Sequence, residues 1–305
     1  MDASVRFGEK RLPAVRTILH KARKKITFGV VVKYILVLAC VAFTALPLVY
    51  VLSTAFKPMA ELLVFPPQFF VREPTLKNFS ELLMSFSSST VPFTRYIFNS
   101  VFTSGLTVFL TVIVSSMAAY GMVKHRPRGG NIIFLVIIGA LMFSTHVTQI
   151  PTYMVINGMG LINRYAALIL PKIAVAYNFF LMKQFTEQIP NELLESARMD
   201  GAGEWTIYSK IVMPLLRPAW ATLVVFTFVS NWNDYFSPLI FTTNEQMKTL
   251  PLALQTVSGG VGGAALSRAG AVAAASLIMI LPTIVIFMVM QSKVMETMAH
   301  SGIKV

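Results

Sequence analysis

The sequence is poor in most of what a soluble catalyst needs. It has one cysteine, Cys40, in 305 residues, which excludes a disulfide framework and a thiolate metal site. Its four histidines form no pair with metal-ligand spacing. Charged residues make up 13% of the chain, about half the share usual in a soluble domain. No GxxxxGK[ST] occurs, so the chain does not hydrolyse ATP by that route. The glycine-rich SGGVGG at 258–263 lacks the Lys-Ser/Thr that would follow in such a loop, and reads as a flexible connection. No nucleophile, base and metal set converge in a pattern that would make a membrane enzyme.

What the chain has instead is apolar length. It is 55% hydrophobic with a mean hydropathy of +0.67, the composition of a membrane protein. Six stretches reach the roughly 20 residues needed to cross a bilayer, near 31–52, 97–122, 131–151, 165–183, 219–241 and 270–291. The fifth is the least conventional, because it carries Asn231, Asn233 and Asp234. A net charge of +13 would suit nucleic acid if it were clustered. The basic residues sit instead at the ends of apolar segments, which favours membrane lipids and excludes nucleic acid as a partner. With the N-terminus inside, the cytoplasmic pieces 1–33, 123–130, 183–218 and 292–305 hold 18 of the 26 Lys and Arg residues, as the positive-inside rule requires. The expectation is a multi-pass protein of the cytoplasmic (inner) membrane with both termini cytoplasmic.

The basic N-terminal stretch of about 30 residues and the apolar stretch of about 22 exceed the lengths of a secretory signal, although Ser53-Thr54-Ala55 is a weak cleavage pattern. Residues 12–28 read equally as a basic helix on anionic head groups, with Val15, Ile18 and Leu19 toward lipid, or as a tail that only sets topology. The segment 53–96 contains Pro58, Pro66, Pro67, Pro74 and Pro92, which argues against a long helix and for a turn-rich outer loop. VKHRPRGG at 123–130 makes a short hairpin connection, and 243–268 is the last outer loop. The sixth span opens with Ala264, Ala265, Gly270, Ala271, Ala273, Ala274 and Ala275. Small residues there imply close helix packing, within the subunit or against a second one.

Between the fourth and fifth spans lie five carboxylates, Glu187, Glu192, Glu195, Asp200 and Glu204. Pro190 suits the first turn of a helix, and Glu192 and Glu195 favour its positive end. Leu193, Leu194 and Ala197 give that helix an apolar side, and Asp200-Gly201 stops it, because glycine accepts the left-handed conformation at a helix end. A second short helix with Trp205, Tyr208 and Ile211 follows, and Pro214 and Pro218 stiffen the approach to the fifth span.

Glu195-Ser196-Ala197, three residues, Gly201, nine residues, then Ile211-Val212-Met213-Pro214 resembles the EAA signature of importer-type ABC permeases. Ser196 stands for an alanine and Met213 for a leucine, and Asp200-Gly201-Ala202 matches the commoner DGA form. The stretches 150–171, 226–241 and 249–259 resemble segments of the maltose-type carbohydrate-uptake permeases, in their smaller six-helix subunit. The resemblance implies an all-α membrane protein of the type I importer permease fold, with six transmembrane helices and a cytoplasmic coupling helix. It implies three regions: a basic segment 1–30, a permease domain 31–291 containing the coupling segment 186–214, and a tail 292–305. The motif residues would be Glu195, Ser196, Ala197, Asp200, Gly201, Ala202, Ile211 and Pro214. In that family the segment docks in a cleft of a cytoplasmic ATPase. Glu195 would meet a basic group there, Gly201 would form the turn, and Ala197 and Ala202 would permit close packing.

Further implications concern function and partners. The chain would form half of a pore for a carbohydrate, an oligosaccharide, without being an enzyme or holding a cofactor. Two copies of an ATP-binding subunit would bind ATP and Mg. A second permease would complete a heterodimer, and an extracytoplasmic solute-binding protein would deliver the cargo. The alternatives are a permease for another solute such as glycerol phosphate, or a membrane receptor whose 190–214 loop binds a signalling partner.

Polar residues inside the spans are the remaining candidates, because each is costly in hydrocarbon. Asn231, Asn233 and Asp234 border a translocation path or its gate, or act as glue between helices. Asp234 pairs with Lys172 or bonds a neighbouring helix. His146 and Gln149, near the outer end of the third span, face the same path or pack between helices.

Overall fold

The computed structural model describes residues 28–87, 91–258 and 268–302. The interfacial helix considered for 12–28 and the glycine-rich run at 258–263 lie, but for one residue each, outside them, as do Ala264 and Ala265. Every regular element among the described residues is helical, so the all-α class holds.

The chain divides into two units, residues 1–49 and 50–305. Most of helix α1 (Phe28–Ala55) belongs to the first. It is apolar all round and its side chains are exposed along nearly its whole length, the pattern of a helix that faces lipid. The second unit begins with the end of α1 and continues through α2 (Met59–Leu62), α3 (Lys77–Ser87) and α4 (Phe93–Lys124). The 53–96 segment is therefore more helical than its prolines suggest. Pro74 and Pro92 bracket α3 without entering it, and Phe79, Leu82 and Phe86 fall on one face, with Leu82 and Phe86 buried.

Three helices are each long and apolar enough to cross a membrane, Phe28–Ala55, Phe93–Lys124 and Ala269–Met295. Three bent pairs can each supply another span, which agrees with the six expected. Where the sequence suggests straight spans, however, the chain breaks. The 131–151 span is α5 (Gly130–Ala140) and α6 (Thr145–Gly158), which meet at 110°. Ser144 is extended there and starts a new helix. The 165–183 span is α7 (Tyr165–Ile173) and α8 (Ala176–Glu187), bent by 44°. Pro171 denies that helix one backbone donor just before the break. Next come α9 (Asn191–Met199), α10 (Glu204–Ile207), a π turn (Tyr208–Val212) and α11 (Met213–Leu215). The 219–241 span is α12 (Arg217–Trp232) and α13 (Phe236–Phe241), parted at Asn233–Tyr235. In the last outer loop a 3-10 turn (Glu245–Met247) leads to α14 (Leu250–Ser258), and α15 (Ala269–Gly302) closes the described chain.

The long helix α4 is the centre of the second unit and packs against α7, α8 and α12. One of its faces is buried and polar: Asn99, Thr103, Thr107, Thr111 and Ser115 recur every fourth residue, beside Ser100, Ser104 and Ser116. Several of these hydroxyls bond their own helix, as Thr103 does to the Asn99 carbonyl (2.7 Å) and Ser116 to that of Val112 (2.6 Å). The small residues at the start of α15 pack within the subunit. Ala271, Ala273, Ala274 and Ala275 join Leu82, Phe86, Tyr96 and Trp232 in one core.

Candidate functional site

The 190–214 segment forms a rigid corner. Pro190 is the N-cap of α9, one position before the first turn expected for it. At the other end Asp200 caps the helix and Gly201 takes φ +80°. The Gly201 N–H donates to the Arg198 carbonyl (3.0 Å) and that of Ala202 to the Ala197 carbonyl (2.9 Å). This is the Schellman arrangement, in which two otherwise orphaned carbonyls are satisfied. Ala197 and Ala202 are half-buried against one core with Leu194, Ile207, Tyr208 and Val212. Burial of Leu194, Ile207 and Val212 contributes roughly 1.5–3 kcal/mol each. The second helix is less regular than expected. After α10 the backbone opens into the π turn, where the Met213 N–H reaches the Tyr208 carbonyl. The wider turn accommodates Pro214, which has no N–H to give.

The opposite side of the corner faces out. Glu195, Ser196, Asp200, Gly201 and Pro214 are exposed, and Ile211 is half-buried. Leu193, Met199 and Trp205 stand exposed beside them. This surface combines carboxylates with apolar side chains.

The carboxylate that ties the corner down is Glu204, which sequence reasoning placed in no role. It accepts from the Tyr120 hydroxyl of α4 (2.7 Å) and from Arg198 (3.1 Å), with His125 3.4 Å away. The Tyr120 hydrogen bond, with Arg198 beside it, holds the Glu204 carboxyl below the ordinary carboxylate range. One turn along α4, Ser116 and the Tyr208 hydroxyl meet at 2.7 Å. A signal for this joint exists in the sequence: 116 and 120 share a helix face, and so do 204 and 208. Only the fold shows that the two faces meet.

The second feature is a cavity of about 610 Å³ bordered by α4, α6, α7, α8, α12 and α13. It brings together Gln149, Lys172, Asn231, Asn233 and Asp234. His146 is not among its lining residues: Thr145, Thr148, Gln149 and Thr152 form the face of α6 that borders the cavity, and His146 is exposed off that face. The pairing of Asp234 with Lys172 is present at 2.5 Å. Lys172 also donates to the Asn231 side chain, whose amide lies 3.4 Å from Ser104 and 3.5 Å from Thr107 of α4. The other Asp234 oxygen accepts the N–H groups of Phe236 (2.9 Å) and Ser237 (3.1 Å), so the same carboxylate begins α13. Asn233 turns back to the Val229 carbonyl (2.9 Å).

Among the described residues lining the cavity, the charged ones are Lys172 and Asp234, which neutralise each other. The rest of the wall mixes amides and hydroxyls with Tyr177, Phe226, Tyr235 and Phe236. The Thr227 hydroxyl, on this wall, is buried without a hydrogen-bond partner among the described residues. Such a surface can hydrogen-bond a hydroxylated molecule and stack against its apolar faces.

Residues 111–294 match the model of a family described as binding-protein-dependent transport system inner membrane component. The arabinooligosaccharides transport system permease protein AraQ of Bacillus subtilis (strain 168) is 30% identical over 258 residues, covering 85% of this chain and 90% of its own. The lactose transport system permease protein LacG of Rhizobium radiobacter is 31% identical over 223 residues, covering 73% of this chain and 80% of its own. Among solved structures, a chain of a bacterial ABC transporter involved in the import of the acidic polysaccharide alginate superposes with a TM-score of 0.76. The two are 23% identical, and the match covers 89% of this chain and 98% of that one.

Proposed function

The chain belongs to the family of binding-protein-dependent transport system inner membrane components, and from that premise we propose how it works as the permease of a carbohydrate ABC importer. It is a multi-pass membrane transport subunit and not a catalytic one. In our reading the 190–214 corner faces the cytoplasm and docks on a separate ATPase, one of two copies. A second permease completes the pore, and an extracytoplasmic solute-binding protein delivers cargo at the opposite end. Both termini lie in the cytoplasm.

One observation carries the docking assignment. The motif residues from Glu195 to Ala202 form a closed Schellman turn whose inner side is packed on the membrane helices and whose outer side is exposed. A handle must be stiff where it joins the machine and free where it is gripped. Glu195, Asp200 and Gly201 lie on the free side, available to a basic partner.

The cavity beside α4 is this subunit's share of the path. Its internally neutralised charge and its amides, hydroxyls and aromatic rings suit a neutral saccharide better than glycerol phosphate, which would need a cation not already paired.

The test is reconstitution of the complex with its ATPase, measuring solute-stimulated ATP hydrolysis and uptake for the natural chain and for Glu195→Ala combined with Gly201→Asp. Loss of stimulation in the variant supports docking through the corner. Undiminished coupling in an assembled variant would reject it, and failure to recover any ATPase with the natural chain would favour a receptor.

A further inference from the structure

The joint between the corner and α4 is a ladder in register. Ser116 and Tyr120 lie one turn apart on α4, and Tyr208 and Glu204 lie one turn apart across from them in the opposite order. The Ser116 proton is directed to the Val112 carbonyl of its own helix (2.6 Å), so the Tyr208 hydroxyl donates to Ser116. In the other rung Tyr120 donates to Glu204.

The same helix reaches the cavity further along. Thr111 donates to the Lys172 carbonyl (3.5 Å), and Ser104 and Thr107 face the Asn231 amide. From Tyr120 to Thr107 is about 20 Å of α-helix. Across that distance α4 is unbroken, whereas the covalent routes out of the corner are bent. The 204–215 stretch meets α12 at 75°, and α8 meets α7 at 44°. A bend absorbs a displacement that a straight helix transmits.

We propose that the Tyr120–Glu204 and Ser116–Tyr208 rungs are the positioning contacts through which movement of the 190–214 corner reaches the Lys172–Asn231–Asp234 cluster, with α4 as the rod. This rests on the reading of the corner as the ATPase dock. Glu204 then has a role distinct from that of Glu195: Glu195 faces the partner, while Glu204 holds the corner to the rod.

The test uses the full reconstituted complex and reads solute transported per ATP hydrolysed. Tyr120→Phe and Tyr208→Phe keep both rings and remove one rung each. Either should lower that ratio about fivefold, and the two together about tenfold or more, as the loss of single hydrogen bonds implies. Glu204→Gln retains an acceptor for Tyr120 and should stay within about twofold of the natural chain, while Glu204→Leu should join the low group. A natural ratio in the assembled double-phenylalanine variant overturns the proposal. So does loss of the ATPase from that purified complex, which would assign the ladder to assembly alone. The underlying docking reading fails differently: the unmodified complex would then show no solute-dependent hydrolysis at all.

Discussion

Gly270 has no room for a side chain. A Cβ there would fall on the Asn78 amide, which is fixed by its bonds to the Ala55 (2.9 Å) and Lys57 (2.8 Å) carbonyls. Gly270→Ala should destabilise the protein by about 1–3 kcal/mol, read as a lower thermal midpoint in detergent. Gly139→Ala, which meets no neighbouring atom, is the neutral control. Asp234→Asn should cost about 2 kcal/mol, because it leaves the Lys172 ammonium without its counter-charge. Adding Lys172→Met should recover part of that loss, and identical midpoints for all three chains would show that the pair contributes nothing. Glu204 also sets a pH window. Its carboxyl lies lower in the folded protein than in an unfolded chain. Its contribution is therefore complete above the ordinary carboxylate range and is lost only as pH falls through the depressed value. Uptake per ATP should stay level from about pH 8 to about pH 5 as far as this group is concerned.

At the scale of elements, the turn at Gly201 illustrates what a sequence can disclose. Its requirement is local: a residue at φ +80° with open space around it. Gly201→Val should therefore cost about 1–2 kcal/mol through backbone strain alone, while Gly201→Asn should cost less, since asparagine visits that region. Recovery of the ATPase with each variant checks the order. The end of α9, the six spans and the apolar face of the corner were legible for the same reason, being set by residues close in the chain. The breaks in the spans were not. Hydropathy runs unchanged through Leu141, Met142 and Phe143 into the bend before α6. The interruption after Trp232 is stabilised by Asp234, which binds a lysine from another helix while starting α13. Lys172, 62 residues away, was one of the partners open to Asp234 from the sequence, but periodicity gives no sign that the same carboxylate also starts the next helix. His146 stands one position off the Thr145, Thr148, Gln149 and Thr152 face of α6 that borders the cavity, a distinction of helix rotation that the sequence left open. The Tyr120–Glu204 joint was missed because neither residue is unusual alone.

For the whole molecule, the orientation proposed here predicts a labelling pattern. With Cys40 replaced by serine, Phe70→Cys and Met199→Cys place single thiols at two exposed positions. A membrane-impermeant maleimide should label the first in intact cells and the second only in opened ones, and the reverse pattern would invert the topology. The six spans also divide the mechanical labour unequally: α1, α4 and α15 run through, while three spans are interrupted. The polar face of α4 then has a consequence for how its neighbours move. A short hydroxyl that bonds its own helix, as at Thr103, leaves few directional bonds for the helices beside it. A smooth surface of that kind permits sliding by small steps. Only over the turn between Thr111 and Ser116 would α4 behave as a bearing: the ladder fastens it on one side, and Thr111, Thr107, Ser104, Ser100 and Asn99 bond neighbouring segments on the other.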